Sequence, residues 1–213
     1  MTQTEPQSSE RMTSRQRRIE EQRKKLDQLH REQRNKRFMV GGIAVGVALI
    51  AIILVVLFFP RPAPDTMRQV PLEQANHLDE GAPLSYRNRP PSSGVHYGTL
   101  PQASDYRMYD QPLTPGRWVH MLEHGAVAIL YRPDLCDTDC VNVLAQVWDS
   151  APRSNLVGGI RHLVITPYQN MDHAVAAVAW GYIDEMDQAD KDRLLADVKS
   201  KMDASSAPER GAL

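Results

Sequence analysis

The segment His120-Met-Leu-Glu-His-Gly125 decides how the folded part of this chain is organised. His120 and His124 are one helical turn apart and share a helix face, with the carboxylate of Glu123 between them in sequence. Imidazole nitrogens bind zinc, copper, nickel and iron, so this spacing predicts a helical metal site. The structural alternative is that these histidines interact with the negative end of the helix dipole.

The helix that carries this segment has recognisable start and stop signals. Thr114 is a suitable N-cap, Pro115 fits the first helical position, and Gly125 favours a helix end. The sequence therefore predicts a helix that begins at Thr114-Pro115 and ends at His124.

The residues after Gly125 predict a small α/β domain. Apolar runs bounded by Gly or Pro indicate buried strands, and apolar residues on one face indicate helices. The strands are predicted at 126–131, 161–166 and 174–183, and the helices at 139–149 and 188–202. We therefore expect an α/β fold of a few strands with interleaved helices over residues 70–202, followed by a disordered tail over 203–213.

Residues 65–114, which precede the helix, contain repeated turn signals with Pro and Gly and have little periodic apolar pattern. We predict loops packed on the core, with a short strand at Leu84–Tyr86. A long ordered loop region in a compact domain is usually functional. This region contains two further imidazoles, those of His77 and His96.

The apolar run from Met39 to Phe59 is uncharged and as long as the roughly 20 residues that cross a bilayer core. It predicts one transmembrane helix over 38–60, because a cleaved signal peptide has a shorter leader and a small-residue cleavage site. The positive-inside rule places the N-terminus in the cytoplasm and the domain outside the plasma membrane. Residues 61–69 are expected to form a Pro-rich tether.

Residues 1–37 form a basic arm, with 11 Lys and Arg against 6 Asp and Glu. We expect this arm to be cytoplasmic, partly helical or disordered, and to set the topology by its charge. It has no aromatic residue to stack on bases, so no nucleic acid is expected as a partner. The expected partners are the lipid bilayer and either a membrane protein or a second copy, since Gly42 and Gly46 form a GxxxG pair.

Cys136 and Cys140 form a Cys-x-x-x-Cys motif at a predicted strand-to-helix turn. Three interpretations are open: a structural disulfide that closes a small loop, a thiol pair that binds Cu(I), and a pair that exchanges disulfides. A compartment outside the plasma membrane permits a disulfide to persist.

The spacing His120-x-x-Glu123-His124 also matches the inverted zinc-protease signature, in which the Glu acts as general base. Such an enzyme needs a further acidic ligand, and Glu185 is the only obvious downstream candidate. Because the helix is short and the domain small, the sequence argues against a protease.

Two motifs, Asn88-Arg-Pro-Pro-Ser-Ser-Gly-Val-His-Tyr97 and Trp118-Val-His-Met-Leu-Glu-His-Gly125, resemble those of an uncharacterised bacterial family, domain-of-unknown-function family 3105. The resemblance covers about residues 70–200. It implies a basic N-terminal stretch, one transmembrane helix and an extracytoplasmic domain, and it marks His77 within a His-x-x-Glu-Gly element. The family has no assigned activity, so the resemblance implies a site and no reaction.

This chain departs from the family pattern at Ser92, Val95 and Met121, where Thr, Pro and Asn are usual. These departures leave the imidazoles of the motifs unchanged. The Cys-x-x-x-Cys motif resembles a feature of only some members, so the resemblance implies no obligatory catalytic role for it.

The sequence therefore predicts a transition-metal site formed by His96, His120 and His124. His77 and Glu123 are second choices, either as further ligands or as partners that fix an imidazole tautomer. Copper is the first expected metal and zinc the second, because soft Met and Cys donors accompany the histidines in an oxidising compartment. These donors are Met108, Met121, Cys136 and Cys140, while His162 and His173 are interpreted as structural.

The expected role is metal handling or delivery to a membrane complex, and no catalytic residue is predicted. One alternative is a non-enzymatic interaction module in which the histidines form a structural network. Another is a thiol-disulfide oxidoreductase that uses Cys136 and Cys140.

Overall fold

A computed structural model describes residues 14–58 and 64–212, and the chain divides into two units at residues 1–61 and 62–213. The first 13 residues of the predicted basic arm lie outside the described residues.

The described part of the first unit is one helix, α1 (Ser14–Phe58). Within the described ranges, no helix is both long and apolar enough to cross a membrane. The span predicted over 38–60 extends beyond those ranges, and it stays a prediction.

The described part of the second unit contains seven strands and three α-helices. The strands are β1 (Arg68–Gln69), β2 (His77–Leu78), β3 (His96–Tyr97), β4 (Val127–Tyr131), β5 (Leu163–Pro167), β6 (Val175–Ala179) and β7 (Tyr182–Met186). The helices are α2 (Pro115–Glu123), α3 (Thr138–Ser150) and α4 (Lys191–Lys201). The predicted α/β fold is confirmed.

Five strands form one mixed sheet in the order β1-β7-β6-β4-β5, and β2 and β3 form a separate pair. Strand β4 is fully buried, runs parallel to β5 and antiparallel to β6, and sends alternate side chains to opposite faces. Val127 and Ile129 face the core under α3 and α4, whereas Ala128 and Leu130 face the core under α2. The sheet thus separates two apolar layers.

The single strand predicted over 174–183 is wrong, because β6 and β7 form an antiparallel hairpin in which Ala179 pairs with Tyr182. Gly181 adopts φ +74°, a left-handed conformation that suits a tight reversal. This turn is not evident from the sequence, because the residues on both sides of it have buried side chains. Among the described residues, Leu84–Tyr86 form no strand either.

Both ends of the domain are more ordered than the sequence predicts. In the predicted tether, Arg68 and Gln69 pair with β7 as an edge strand. In the predicted disordered tail, backbone N–H groups of Asp203, Glu209 and Gly211 donate to the carbonyl groups at the end of α2. These carbonyl groups have no partner within their helix, so the tail satisfies them.

A buried acidic pair joins β7, α4 and the start of the domain. Asp184 accepts hydrogen bonds from Arg193 at 2.6 and 2.7 Å and from the Thr66 hydroxyl at 2.7 Å. Burial, together with the negative charges of Asp184 and Asp65, raises the pKa of Asp197 to about 7. The pKa of Asp184 is lowered despite its burial, chiefly by Arg193 and Thr66. Below about pH 7, Asp197 therefore holds a proton while Asp184 is ionised.

We expect Asp197→Asn to flatten the pH dependence of stability. Because the pKa of Asp197 is higher in the folded than in the unfolded chain, the folded state binds the extra proton, and stability falls as pH rises from about 4 to about 7. Asn mimics the protonated side chain, so the variant should be the more stable by up to a few kcal/mol near pH 8 and nearly equal near pH 4. Thermal unfolding at several pH values measures this, and parallel curves for the two proteins would contradict it.

Candidate metal site

Three imidazoles meet where the β2–β3 pair lies against α2. The parallel register places His77 directly beside His96, with ring centroids 4.6 Å apart. The ring of His120, on α2, lies 4.9 Å from that of His96 and 5.0 Å from that of His77. Residues that are distant in sequence therefore form one compact group of rings.

Glu123 adds a carboxylate to the three imidazoles, because it lies three residues after His120 on the same side of α2. Its Oε2 atom is 2.9 Å from Nε2 of His96 and 3.4 Å from Nε2 of His77. One nitrogen of each histidine and one oxygen of Glu123 all lie within 4.8 Å of one another. This group, which we call the His/Glu cluster, can hold a metal ion.

The His/Glu cluster is buried on one side and open on the other. The side chains of His96 and Glu123 are 0% and 7% exposed, and His120 is buried, whereas the His77 side chain is 49% exposed. Solvent and ions can thus reach the group past His77.

A backbone contact fixes the tautomer of His96. Its Nδ1 lies 2.8 Å from the carbonyl oxygen of Gly94. A carbonyl oxygen only accepts, so Nδ1 carries a hydrogen. In the neutral ring Nε2 therefore has the lone pair that can bind a metal, and in the protonated ring its N–H faces Glu123. Histidines that ligate metals almost always have their second nitrogen fixed in this way.

The Pro-Pro-Ser-Ser-Gly loop holds that carbonyl group in position. Gly94 has φ +111°, and an added Cβ would lie 3.2 Å from Cβ of Glu73. The buried Ser93 hydroxyl accepts from the Glu73 N–H at 2.9 Å. The Glu73 carboxylate in turn accepts from the backbone N–H groups of Arg87 and Asn88. Glu73 was not recognised from the sequence, because it belongs to no motif.

His96 and Glu123 perturb each other. Burial lowers the pKa of His96, but the contact with Glu123 and the Gly94 carbonyl outweigh it and raise that pKa above its ordinary value. Burial raises the pKa of Glu123, yet the three neighbouring imidazoles bring it below its ordinary value. At 2.9 Å the two side chains are in electrostatic contact, but without the alignment of a hydrogen bond.

His120 is held neutral. Burial, reinforced by the charges of His124, His96 and His77, lowers the pKa of His120 to about 4. The Tyr97 backbone counters this weakly, but neither ring nitrogen makes a hydrogen bond of standard geometry with any described residue. Buried nitrogens without a partner are costly, and neutral imidazole is the form that binds metals.

His124 does not join the other predicted ligands, His96 and His120. It belongs to a neighbouring group with Glu123 and Glu209, whose ligand atoms also lie within 4.8 Å of one another. Its Nε2 is 3.5 Å from Oε2 of Glu209, and burial lowers its pKa despite the two carboxylates. Sequence reasoning missed Glu209 because it lies in the predicted disordered tail.

The soft donors predicted from the sequence lie elsewhere. Met121 packs in the core under α2, and Met108 packs against the core under α3 and α4. Cys136 and Cys140 form a disulfide at the start of α3, where Asp137 caps the helix by accepting from the Cys140 N–H. A Cys136–Cys140 disulfide is thus confirmed, and this bond also lies on the α3 side of the sheet.

The remaining candidates are also outside the His/Glu cluster. Glu185, the acidic ligand that a protease would need, pairs with Arg68 at 2.6 Å. His162 is buried against Asp203 at 2.7 Å, and His173 pairs with Asp187 at the surface.

The sequence matches, over residues 77–213, the model of a family described as "Protein of unknown function (DUF3105)". No curated protein and no solved structure matches the chain. The matched region contains every member of the His/Glu cluster and also Glu209.

Close packing at Gly116 generates a stability prediction. An added Cβ would lie 2.6 Å from the Tyr97 ring and 2.7 Å from Leu84, so α2 approaches β3 only because residue 116 has no side chain. We expect Gly116→Ala to reduce the free energy of unfolding by roughly 1–3 kcal/mol in a denaturant titration.

The unsubstituted chain is the reference for this titration. Helix propensity alone would stabilise Gly116→Ala by up to about 1 kcal/mol. A Gly116→Ala protein at least as stable as the unsubstituted chain would show that the approach of α2 to β3 is not tight.

Proposed function

The chain belongs to the family described as a protein of unknown function (DUF3105), and on that premise we propose that its second unit binds a transition-metal ion. The ligands in this proposal are His77, His96, His120 and Glu123. The function that follows is metal handling at the outer face of the plasma membrane, or delivery of the metal to a membrane complex.

One observation carries the proposal: three imidazoles and a carboxylate converge, although Nε2 of His96, both ring nitrogens of His120 and Oε2 of Glu123 make no hydrogen bond of standard geometry among the described residues. A structural network would be expected to satisfy those atoms. A metal ion at that point would accept a lone pair from Nε2 of His96, from one ring nitrogen of His120 and from Oε2 of Glu123 together.

The distance between two of the donors matches the ligand spacing around such an ion. Two ligands on a tetrahedral ion, each about 2.1 Å from it, lie about 3.4 Å apart. Nε2 of His77 and Oε2 of Glu123 are 3.4 Å apart. The shorter 2.9 Å distance from His96 to Glu123 requires only a small outward shift.

The donors of the His/Glu cluster favour a different metal from the one that the sequence predicts. The sequence favours copper because it contains soft sulfur donors. In the structure, however, Cys136 and Cys140 are joined in a disulfide and Met121 packs in the core. Nitrogen and carboxylate donors suit borderline divalent ions. We therefore propose zinc as the first metal and Cu(II) as the second.

The membrane location rests on the sequence alone. The apolar run from Met39 to Phe59 and the basic arm before it favour a single-pass anchor with the metal site outside the cytoplasm. A pairing of two chains through Gly42 and Gly46 is likewise a proposal from the sequence.

The test is metal binding by the purified full-length chain, first stripped with a chelator and then titrated with Zn²⁺. At a free Zn²⁺ concentration about 100 times Kd, binding stabilises the folded unit by about 2.7 kcal/mol and should raise Tm by about 5 to 10 °C. His120→Gln should weaken binding by at least about 100-fold, since it removes a ligand outright.

His173→Gln is the matched control, because His173 pairs with Asp187 at the surface and lies outside the His/Glu cluster. It should bind Zn²⁺ like the unsubstituted chain. If neither Zn²⁺ nor Cu²⁺ shifts the Tm of the unsubstituted chain, the histidines form a structural network and the metal proposal is wrong.

A further inference from the structure

We propose that Glu123 bridges two metal ions, so that the site is dinuclear. The second ion would be held by His124 and Glu209 together with Glu123. This inference rests on the proposed function, since the first ion is the one bound by the His/Glu cluster.

Shared ligation is the first argument. Glu123 belongs to the His/Glu cluster and also to the group that it forms with His124 and Glu209. A carboxylate has two oxygens with about four lone-pair sites and can accept from two directions at once. The rings of His120 and His124 are only 4.6 Å apart, so ligands of the two ions would be in direct contact.

The state of His124 is the second argument. Its side chain is 0% exposed, and although the Ala212 backbone is near, neither of its ring nitrogens makes a hydrogen bond of standard geometry with a residue that the structure describes. Buried nitrogens without such a bond are energetically costly, and a bound ion would accept the lone pair of one of them and so remove part of that cost.

The distance to Glu209 is the third argument. Nε2 of His124 and Oε2 of Glu209 are 3.5 Å apart, beyond the 2.7–2.9 Å of a charge-assisted hydrogen bond. It is close to the separation of about 3.4 Å between two ligands on one tetrahedral ion. The Glu209 side chain is 51% exposed, which leaves a path for the ion from solvent.

Backbone hydrogen bonds hold the tail segment that contains Glu209 close to Glu123 and His124. The N–H of Glu209 donates to the Glu123 carbonyl at 3.0 Å, and the N–H of Gly211 donates to the His124 carbonyl at 2.9 Å. The segment around Glu209 is therefore fixed to the backbone of the two residues with which it would share an ion. These backbone hydrogen bonds restrict the positions that the Glu209 side chain can reach.

The two positions differ in chemistry, which predicts their order of filling. The His/Glu cluster offers three nitrogens and one oxygen, whereas the second group offers one nitrogen and two carboxylate oxygens. With three ligands, the second ion keeps at least one open position, as catalytic metal sites do. We expect the first ion to bind more tightly, and the second to prefer harder ions such as Mn²⁺.

The test is the metal stoichiometry of the full-length chain, measured with Mn²⁺ and separately with Zn²⁺. The unsubstituted chain should bind two ions, and Glu209→Gln should bind one, with the affinity of the tighter position changed by less than about threefold. With two Mn²⁺ bound, magnetic coupling through Glu123 should abolish the six-line electron paramagnetic resonance spectrum of isolated Mn²⁺. Glu185→Gln, at an ion pair outside both groups, is the control and should bind two ions.

The outcomes separate this inference from the proposed function. A single bound ion in the unsubstituted chain, or two ions without magnetic coupling, overturns the dinuclear site and leaves the proposed function intact. Two ions in the Glu209→Gln protein exclude Glu209 as a ligand and also overturn it. No bound ion at all overturns both. His124→Gln, which keeps the tail in place, should reproduce the loss of one ion.

Discussion

The structure depends on how the polar groups at the buried end of α2 are satisfied. This helix packs on the sheet through Trp118, Val119 and Leu122, and yet its last turn carries His120 and Glu123 into the interior as well. Buried polar groups without partners are costly, so each must be supplied from elsewhere in the chain. The backbone carbonyl groups receive N–H donors from the C-terminal tail, and the side chains lie against the imidazoles of the same cluster. That division explains why the tail is ordered and why the side chains form a site for ions.

The same constraint accounts for the rest of the site. Two paired residues per strand in β2 and β3 are too few to form a stable sheet by themselves. Their register matters because it sets His77 beside His96 against α2, and Gly116 permits that approach. The Gly94 carbonyl then selects the tautomer of His96. The loop, the strand pair and the helix thus stabilise one another. Together they direct a set of nitrogens at one point.

Sequence reasoning identified elements that are specified locally. Start and stop signals defined α2, and apolar runs defined β4 and β5, because these features depend on neighbours within a few residues. It failed where distant partners decide. The turn at Gly181 is flanked by buried side chains, and the tail has no periodic pattern because its order comes from the carbonyl groups of α2. The soft donors predicted from the sequence lie away from the His/Glu cluster for the same reason, since Met121 packs in the core although it adjoins His120 in sequence.

The sequence by itself determined the inventory: the α/β pattern, the helix with its two imidazoles one turn apart, the loop histidines and the family motifs. Tertiary structure alone decided which of these residues meet. It grouped His77 with His96 through strand register, separated His124 from them, and added Glu209 through the tail. The physical reason is that ligation requires atoms a few ångströms apart. Such distances between segments remote in sequence are set by packing and hydrogen bonding, and local residue patterns contain no information about them.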